Sequence, residues 1–286
     1  MAADGAAASR LAPAKVNLNL HLCGQRADGY HLLDSLVVFP AIGDRLSVDA
    51  AEGLSLALSG PFAQGLSSGG DNLVLSAAER LAAHAGVTRG AALHLQKNLP
   101  LASGIGGGSS DAATALCLLA AHWGCEVPGD LALALGADVP VCCRAPAPQR
   151  MQGIGERLTP VIGLPAFWMV LVNPLVGVPT GAVFAGVADK SPPPAPERPA
   201  GGFAGFDDFT DWLVTQRNDL QAPAIAVCPP IREVLDALAS VPLARMSGSG
   251  ATCFALFEDQ VGAERLADQL RSQTPWWVAA APVAAS

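Results

Sequence analysis

The alternation of apolar and polar residues near the N-terminus is the first feature that predicts structure. In residues 15–22 (KVNLNLHL), apolar side chains occupy every second position and polar side chains occupy the positions between them. Successive side chains of a β-strand point to opposite faces, so this pattern predicts a strand with one polar face. Shorter alternating runs at 45–50, 54–59 and 92–96 predict a sheet that is built with antiparallel hairpins.

Helical signals follow these strands. Asp71 is suited to cap a helix that runs to about Ala85, where Gly86 would end it. Further along the chain, apolar residues between Leu116 and Trp123 recur at helical spacing and predict a second helix.

The second half of the chain also mixes strands and helices. The run FWMVLV (167–172) predicts a buried strand, and 252–257 predicts a strand between helices at 229–240 and 260–273. This mixture indicates an α+β or α/β class. The Pro-rich stretch 190–202 predicts a mobile loop without a catalytic role.

Composition and charge narrow the possible functions. A length of 286 residues is sufficient for two ordinary domains, although one large domain would also fit. Apolar residues make up 51% of the chain and charged residues 15%, which is typical of a globular protein. The net charge is −8 and no run of lysine or arginine occurs, so a nucleic-acid-binding groove has no electrostatic basis.

Cysteine usage and hydropathy predict the compartment. Seven cysteines without CxxC spacing indicate reduced, mostly buried thiols in a cytosolic protein. A redox role for the adjacent Cys142 and Cys143 is the weaker interpretation, because buried cysteine is usually inert. The N-terminal segment lacks the apolar core of a secretory signal, and prolines interrupt the uncharged stretch 158–188, so we expect a soluble protein.

The stretch LASGIGGGSSDAATAL (101–116) contains the strongest functional signal. It places Gly104 and Gly106–Gly108 ahead of two serines, after which a helix is expected to begin. Glycine is used where the backbone needs unusual dihedral angles or must be approached closely. Since N–H groups at a helix N-terminus attract anions, the segment predicts a backbone cradle for a polyphosphate. The alternative is a tight turn between strand and helix that binds no ligand.

Two common phosphate-binding motifs do not describe this stretch. A Walker A loop needs a lysine that is not present at the required position, and a dinucleotide-binding fingerprint needs a third glycine where Ser109 stands.

The spacing P-x3-G-x-G-G-G-S-S in residues 100–110 resembles the phosphate loop of the GHMP kinases, a superfamily of small-molecule kinases. Segments 13–39, 136–141 and 245–257 are similar to other motifs of that superfamily and follow in the same order. The runs ADGYH and GGGSSDAA most resemble the branch that phosphorylates the 2-hydroxyl group of 4-diphosphocytidyl-2-C-methyl-D-erythritol in the non-mevalonate route to isoprenoid precursors. The chain departs from the pattern at its alanine-rich N-terminus, after residue 141 and in the Pro-rich insertion.

The resemblance implies a fold and a set of ligands. We expect a two-domain α+β kinase of the GHMP type with its active site in the interdomain cleft. Residues 1–157 would form the N-terminal ATP-binding domain and residues 158–286 the C-terminal domain. ATP would be the co-substrate, accompanied by Mg²⁺, and the acceptor would be a small molecule. A cytoplasmic location is implied, with neither nucleic acid nor a membrane as a partner.

The resemblance also assigns catalytic roles to Lys15 and Asp138. Asp138 would be the general base, and Lys15 would keep it ionised and help to polarise the acceptor hydroxyl. From the residues alone, Lys15 would be a solvated strand lysine. Asp138 would be an ordinary turn aspartate, followed by an extended Val139 because Pro140 disfavours the helical conformation there.

Binding residues are implied in the same way. The ATP-binding segment would comprise Pro100, Leu101, Ala102, Ser103, Gly104, Ile105, Gly106, Gly107, Gly108, Ser109 and Ser110. The substrate-binding residues would be Asn17, Tyr30, His31, Thr180 and Phe184, of which the last four belong to the cytosine pocket. An aromatic ring in that pocket would stack on the base. From the residues alone, Tyr30 and His31 would be a core aromatic and a turn histidine.

Two other functions compete with this interpretation. Another small-alcohol kinase of the superfamily would share the phosphate loop, but ADGYH and GGGSSDAA disfavour it. A catalytically silent nucleotide-binding protein would not need both Lys15 and Asp138, and the chain has both.

Overall fold

A computed structural model describes residues 8–190, 192–194 and 196–286 of the chain. The predictions for the N-terminal segment and the Pro-rich loop therefore fall partly outside the described residues. The strands are β1 (Ala8–Pro13), β2 (Val16–Asn17), β3 (His21–Gln25), β4 (His31–Val38), β5 (Gly43–Ala51), β6 (Leu54–Ser59), β7 (Gly90–Gln96), β8 (Gln149–Gly153), β9 (Arg157–Pro160), β10 (Phe167–Asn173), β11 (Ala244–Met246), β12 (Cys253–Phe257) and β13 (Trp277–Val283).

The helices follow the same numbering in chain order. They are α1 (Leu73–Ala85), α2 (Gly107–Trp123), α3 (Gly129–Leu135), α4 (Val139–Cys142), α5 (Thr180–Ala185), α6 (Phe206–Val214), α7 (Gln221–Val227), α8 (Pro230–Ala237) and α9 (Gln260–Gln273). In the part of the chain that the structure describes, none of them has both the length and the apolar character needed to cross a bilayer.

The chain divides into two compact units, each assembled from separate segments. Unit 1 comprises Met1–Ala14, Ile42–Leu101 and Gly106–Cys143, and unit 2 comprises Lys15–Ala41, Ala102–Ile105 and Arg144–Ser286. This division follows contacts rather than chain order. The boundary between domains at residues 157 and 158 therefore stays a prediction.

Unit 1 contains one four-stranded sheet in the order β1-β5-β7-β6. The neighbours β1 and β5 are antiparallel, as are β5 and β7, but β6 pairs with β7 in parallel. The expectation of hairpins is therefore wrong for β5 and β6, which are not neighbours. Strand β7 lies between them because its buried Leu93 pairs with Val48 on one side and with Leu56 on the other. This arrangement continues one apolar face across all three strands.

Helix α1 has the predicted C-terminal end and a different N-terminal cap. Gly86 adopts the left-handed conformation at φ 62° and ends the helix, which confirms that prediction. The cap is Asn72, whose side chain accepts a hydrogen bond from the N–H of Val74, and the assignment to Asp71 is wrong by one residue. Both residue types are good caps, so local sequence alone does not choose between adjacent ones.

Unit 2 contains two sheets. In the first sheet, β2, β4, β8 and β9 lie in this order, and β3 also pairs with β4. The strand predicted over residues 15–22 is interrupted between Asn17 and His21, so that part of the prediction is wrong. Asn19 causes the interruption because its side chain accepts from the N–H of Leu36 and donates to Gln216, at 2.6 and 2.9 Å. Its own polar groups thus replace regular strand pairing at this point.

The second sheet of unit 2 is antiparallel throughout, in the order β11-β12-β10-β13. The predicted strands at 167–172 and 252–257 and the predicted helix at 260–273 are confirmed by β10, β12 and α9. Helix α8 lies within the predicted 229–240. Buried residues of these elements form one apolar core, including Val170, Ile231, Cys253 and Ala267.

A buried arginine holds three backbone segments of unit 2 together. The side chain of Arg245 is only 7% exposed and donates to the carbonyl oxygens of Leu18, Leu213 and Gln216 at 2.7 to 2.8 Å. Burial lowers the pKa of this guanidinium to about 10, so it keeps its charge at neutral pH. Its hydrogen bonds give these buried carbonyl groups a charged donor, and the Leu213 carbonyl also accepts from the N–H of Gln216 at 2.9 Å.

Replacing this arginine should destabilise the fold. Arg245→Met keeps most of the side-chain volume but removes the guanidinium donor from three buried carbonyl groups, of which only that of Leu213 still accepts from the N–H of Gln216. We expect the free energy of unfolding to fall by about 3–5 kcal/mol, measured by urea denaturation. Arg232→Met on the exposed face of α8 is the matched control and should change stability by less than about 0.5 kcal/mol. Equal stability of the two variants would contradict this role of Arg245.

Candidate active site

The glycine-rich segment begins with a tightly turned backbone. Ala102, Gly104 and Gly106 have positive φ angles of 49°, 74° and 62°. Helix α2 then starts at Gly107, so Ser109 and Ser110 lie inside its first turn. The prediction that the helix follows the serines is therefore wrong by several residues. The reason is that Gly106 in the left-handed conformation serves as the N-cap, without any side-chain cap.

Gly104 is required by close packing within unit 2. A Cβ atom at this position would lie 2.4 Å from the carbonyl oxygen of Gly250, which no side chain tolerates. The neighbouring Ser103 accepts from the N–H of Thr252 at 3.0 Å, and the Ser247 hydroxyl donates to the Gly104 carbonyl at 3.2 Å. Residues 102–105 therefore lie directly on the 247–252 turn, which joins two segments that the sequence singled out separately.

The first turn of α2 in unit 1 is open on one side. Gly108 is exposed, and a Cβ atom there would make only ordinary contact, at 3.7 Å, with Leu73. The first N–H groups of a helix have no carbonyl partner within it, so this end favours an anion. The hydroxyl of Ser110 is buried and has no hydrogen-bond partner among the described residues.

A buried charge cluster lies against this turn. Lys97 is 2% exposed, and its ammonium contacts the carboxylates of Asp44 and Asp111, the latter at 2.7 Å. The same ammonium would lie 3.1 Å from a Cβ atom on Gly107. The cluster therefore fixes the start of α2 against the end of β7. Sequence reasoning assigned no role to these three charged residues, because nothing in their spacing along the chain indicates that they meet.

Burial and pairing shift the pKa values of the cluster in unit 1. Burial raises the pKa of Asp111 to about 7, although Lys97 opposes this, and Asp44 raises it further. Burial also opposes the charge of Lys97, but Asp111 and Asp44 together raise the pKa of its ammonium. Lys97 therefore stays charged, and Asp111 gains a proton as the pH falls through about 7.

Lys15 is buried rather than solvated. The residue is only 4% exposed, and its Nζ atom donates a hydrogen bond to the side-chain oxygen of Asn17 at 3.0 Å. The Lys15 backbone N–H donates to the carbonyl of Ile105, and that of Asn17 donates to the Ser247 hydroxyl. Within unit 2, the structure thus brings Lys15 and Asn17 together with the first part of the glycine segment. The interpretation of Lys15 as a surface lysine is wrong.

Asp138 lies at the N-cap of the short helix α4 in unit 1, with φ −89° and ψ −12°. The expectation of an extended Val139 is wrong, because Val139 is the first helical residue. Pro140 is tolerated there, since the missing N–H would have no partner in the first turn of a helix. The Asp138 carbonyl accepts from the N–H of Cys142 at 3.1 Å, which fixes the backbone at this position.

Three of the predicted cytosine-pocket residues have defined surroundings in unit 2. The rings of His31 and Phe184 stack with centroids 5.2 Å apart and planes inclined by 29°. The Thr180 hydroxyl is hydrogen bonded to that of Ser249 at 2.9 Å. Tyr30, in contrast, is 61% exposed. The structure therefore places Phe184, and not the adjacent Tyr30, against the imidazole ring.

The histidine in this group has one ring nitrogen whose hydrogen-bonding capacity is unused among the described residues. The Nδ1 atom of His31 is buried and has no hydrogen-bond partner within the described part of the chain. Burial lowers the pKa of His31, and the positive charge of Lys190 lowers it further. The imidazole is therefore neutral at pH 7, with one nitrogen that donates and one that accepts.

A separate polar cavity of about 280 Å³ opens in unit 2. Its lining includes Asn19, Asp34, Arg150, Trp212 and Gln216. None of the predicted substrate-binding residues lines this cavity, so it is distinct from the surroundings of His31.

Comparison with known proteins defines the class of this chain. The model of the GHMP kinases N terminal domain matches residues 72–145, and the model named GHMP kinases C terminal matches residues 211–275. A crystal structure of homoserine kinase from Cytophaga hutchinsonii has the same fold, with a TM-score of 0.68, 16% identity and coverage of 100% of this chain and 96% of that one. The α+β fold of the GHMP kinases is confirmed.

More similar relatives define the family within that class. A Dinoroseobacter shibae protein named 4-diphosphocytidyl-2-C-methyl-D-erythritol kinase is 58% identical over 94% of this chain and 92% of its own length. A Ruegeria pomeroyi protein of the same name is 54% identical, with coverage of 94% and 96%. A crystal structure of 4-(cytidine 5'-diphospho)-2C-methyl-D-erythritol kinase matches with a TM-score of 0.77, 34% identity and coverage of 96% and 98%. The chain belongs to the 4-diphosphocytidyl-2-C-methyl-D-erythritol kinase family, which confirms the prediction of a small-molecule kinase.

The pKa of Asp111 leads to a prediction about stability. A carboxyl group whose pKa rises from 3.8 to about 7 on folding binds its proton more tightly in the folded state. Ionisation of Asp111 therefore lowers the free energy of unfolding as the pH rises between these two pKa values. Asp111→Asn cannot ionise, although it also loses a charge that pairs with Lys97, so we expect its free energy of unfolding to gain on that of the natural chain by roughly 1–3 kcal/mol between pH 5 and pH 8.

This gain should shrink towards pH 5, where Asp111 of the natural chain is already protonated. Urea denaturation at the two pH values measures the difference. Asp71→Asn, at an exposed position, is the control and should show no such pH-dependent gain. A change in stability that is the same at pH 5 and pH 8 would show that Asp111 does not titrate between them.

Proposed function

We propose that this chain transfers the γ-phosphoryl group of ATP to the 2-hydroxyl group of 4-diphosphocytidyl-2-C-methyl-D-erythritol. The products are the 2-phosphate of the substrate and ADP. The observation that carries the proposal is the 58% identity, over nearly the full length, to a relative that is named as the kinase of this substrate. The reaction belongs to the non-mevalonate route to isoprenoid precursors, and a cytoplasmic location is part of the proposal.

ATP binds along residues 100–110 in this proposal. The open first turn of α2 directs backbone N–H groups towards the phosphates, and the lack of side chains at Gly107 and Gly108 lets phosphate oxygens approach. We assign residues 1–157 to the ATP-binding domain and 158–286 to the C-terminal domain. The buried Lys97 cluster supports this role because it fixes the backbone against which the phosphates would lie.

Mg²⁺ would enter with ATP. No group of three or more His, Cys, Asp or Glu side chains within the described ranges is placed to hold a metal ion. This fits an ion that keeps water and phosphate oxygens as most of its ligands and uses few protein side chains. The buried Ser110 hydroxyl, which lacks a partner there, is the oxygen that we assign to the ATP complex. When bound, the ion neutralises negative charge on the transferred phosphoryl group.

In this proposal, Asp138 is the general base and Lys15 stabilises negative charge. Asp138 accepts the proton of the acceptor hydroxyl as its oxygen attacks phosphorus, and the bond from phosphorus to the bridging oxygen of ADP breaks. The Lys15 ammonium stabilises negative charge on the acceptor oxygen. Its burial and its hydrogen bond to Asn17 support this role, since they hold the ammonium in one orientation.

The cytosine base is recognised by a ring and a polar edge. His31 offers a neutral imidazole whose Nδ1 atom is buried and lacks a partner in the described chain. Phe184 offers an aromatic face beside it. Such a pair can stack on a base and hydrogen bond to its Watson–Crick edge.

The product of the reaction tests the proposal directly. The purified protein is incubated with ATP, Mg²⁺ and a panel of alcohols that includes 4-diphosphocytidyl-2-C-methyl-D-erythritol, mevalonate, homoserine and galactose. We expect mass spectrometry to detect one new phosphomonoester, derived from the cytidylyl substrate. Phosphorylation of a different alcohol at a higher kcat/KM would overturn the substrate assignment while leaving the kinase class intact.

Asp138→Asn should bind ATP and fold normally but lose turnover. General acid–base catalysis contributes about 10²–10⁴-fold, so we expect kcat to fall by that factor with little change in the KM for ATP. Asp130→Asn, an exposed position in α3, is the control and should keep its activity. A purified Asp138→Asn enzyme with nearly normal kcat would remove Asp138 from the mechanism.

Base recognition makes a second prediction about variants. The uridine analogue of the substrate replaces the exocyclic amine of cytosine with a carbonyl and should bind much more weakly. His31→Ala should narrow the difference in affinity between the two analogues, because it removes a polar group that hydrogen bonds to the edge of the base. Phe184→Ala should weaken the binding of both analogues by a similar factor, since stacking is tolerant of base identity.

Competition binding with the cytidine and uridine analogues measures these differences. ATP affinity should be unchanged in both variants, which controls for loss of fold. Equal affinity of the natural chain for the two analogues would show that this pocket does not distinguish cytosine.

A further inference from the structure

The side chain of Asn218 joins two backbone segments in the interior of unit 2. Asn218 lies between α6 and α7 and is 7% exposed. Its amide nitrogen donates to the carbonyl oxygens of Met246 and Gly248 at 2.8 and 2.9 Å. A side-chain amide has two N–H groups, so each carbonyl receives one of them. The amide oxygen accepts from the N–H of Leu220 at 3.0 Å, which fixes the orientation of the group.

The two carbonyl groups lie on either side of Ser247, through which the 247–252 turn contacts Asn17. The Ser247 hydroxyl accepts from the N–H of Asn17 at 3.1 Å and donates to the carbonyl of Gly104 at 3.2 Å. Gly248 has a φ of 56°, and a Cβ atom there would lie 2.8 Å from the Gly104 oxygen and 3.4 Å from Oδ1 of Asn17. The turn therefore lies against both the backbone and the side chain of Asn17.

Asn17 in turn holds the ammonium group of Lys15. Its Oδ1 atom accepts from the Lys15 Nζ atom at 3.0 Å, and its amide nitrogen donates to the Ser35 hydroxyl at 2.7 Å. All three residues are buried. Because a closely packed interior transmits strain, a shift of the 247–252 turn would also shift the oxygen that orients the ammonium.

We propose that Asn218 is a positioning residue for phosphoryl transfer. It holds the 247–252 turn so that the Ser247 hydroxyl fixes Asn17, and Asn17 then orients the Lys15 ammonium towards the acceptor oxygen. This inference rests on the role proposed above for Lys15. Asn218 itself acts only through these residues. A displacement of about 1 Å in a catalytic group can reduce the rate by about 10²-fold, so precise support of the turn matters for turnover.

The first test compares kcat in two variants that each remove hydrogen bonds to two backbone carbonyl groups. Asn218→Ala should lower kcat by about 10- to 100-fold, with a smaller change in the KM of ATP and of the cytidylyl substrate. Thr210→Val is the matched control, because the hydroxyl of this buried α6 residue donates to the carbonyls of Phe206 and Asp207 at 3.0 Å. It should keep its kcat. Equal losses in the two variants, or a normal kcat in Asn218→Ala, would overturn the proposal.

A double-mutant cycle tests whether Asn218 acts through Lys15. If it does, Asn218→Ala should lower the residual kcat of a Lys15→Ala enzyme far less than it lowers that of the natural chain. A loss by the same factor in both backgrounds would show an independent effect and overturn this inference alone. A normal kcat in Lys15→Ala by itself would instead overturn the proposed role of Lys15, and this inference with it.

Hydrogen exchange measured by NMR tests the same contact without any turnover. The N–H of Asn17 bonds to the Ser247 hydroxyl, whereas that of Leu18 bonds to the carbonyl of Leu36 at 2.8 Å. Asn218→Ala should therefore speed exchange at Asn17 and leave Leu18 unchanged. Ser247→Ala should have the same effect and the same loss of kcat, and it keeps the test decisive if Asn218→Ala does not fold. Equal acceleration at both positions would indicate a general loss of stability and contradict a positioning role.

Discussion

The backbone of the glycine segment depends on a buried ammonium group. Lys97 is almost fully enclosed and lies between the carboxylates of Asp44 and Asp111. Removing three charges from water costs several kcal/mol each, and the arrangement is stable only because the charges pair and Asp44 also accepts from the backbone at Leu99. The cluster holds the first turn of α2, at Gly107, against the end of β7.

Unit 2 uses polar groups in its interior in a similar way. Arg245 supplies donors to three carbonyl groups, and Asn19 and Gln216 bond each other beside the interrupted strand. These hydrogen bonds hold the backbone near Lys15 without regular strand pairing. Such a network is rigid only when its members are satisfied, so it favours one arrangement of this segment. The buried Nδ1 atoms of His21 and His31 have no partner among the described residues, and that of His31 lies in the pocket that we propose for cytosine.

Unsatisfied buried groups do not by themselves separate functional from structural residues in this chain, because Nδ1 of His21 and Nε1 of Trp123 also lack partners among the described residues. The polar groups around Arg245 have their partners within the fold. The Ser110 hydroxyl and the His31 nitrogen are buried without partners among the described residues, and both lie in segments assigned to ligands.

Much of this protein was predictable from the sequence. Alternation predicted β6, a C-terminal glycine predicted the end of α1, and four short motifs identified the GHMP kinases. Such features are local, because they depend on the geometry of a single strand, helix or loop. Each motif is also a single short stretch of sequence. The resemblance to the family could therefore assign roles to Lys15, Asp138 and the glycine segment, although they lie far apart in the chain.

Other features were decided only by tertiary structure. Asn19 interrupts its strand because Leu36 and Gln216 are present in three dimensions, and β6 joins β7 because Leu93 has an apolar neighbour on either side. Lys97 meets Asp44 across 53 positions of the chain. The periodicity of a sequence indicates only which side chains of one helix or strand share a face. The partner of a buried polar or nucleophilic group depends on which distant segments pack against that element, and this is a property of the folded chain alone.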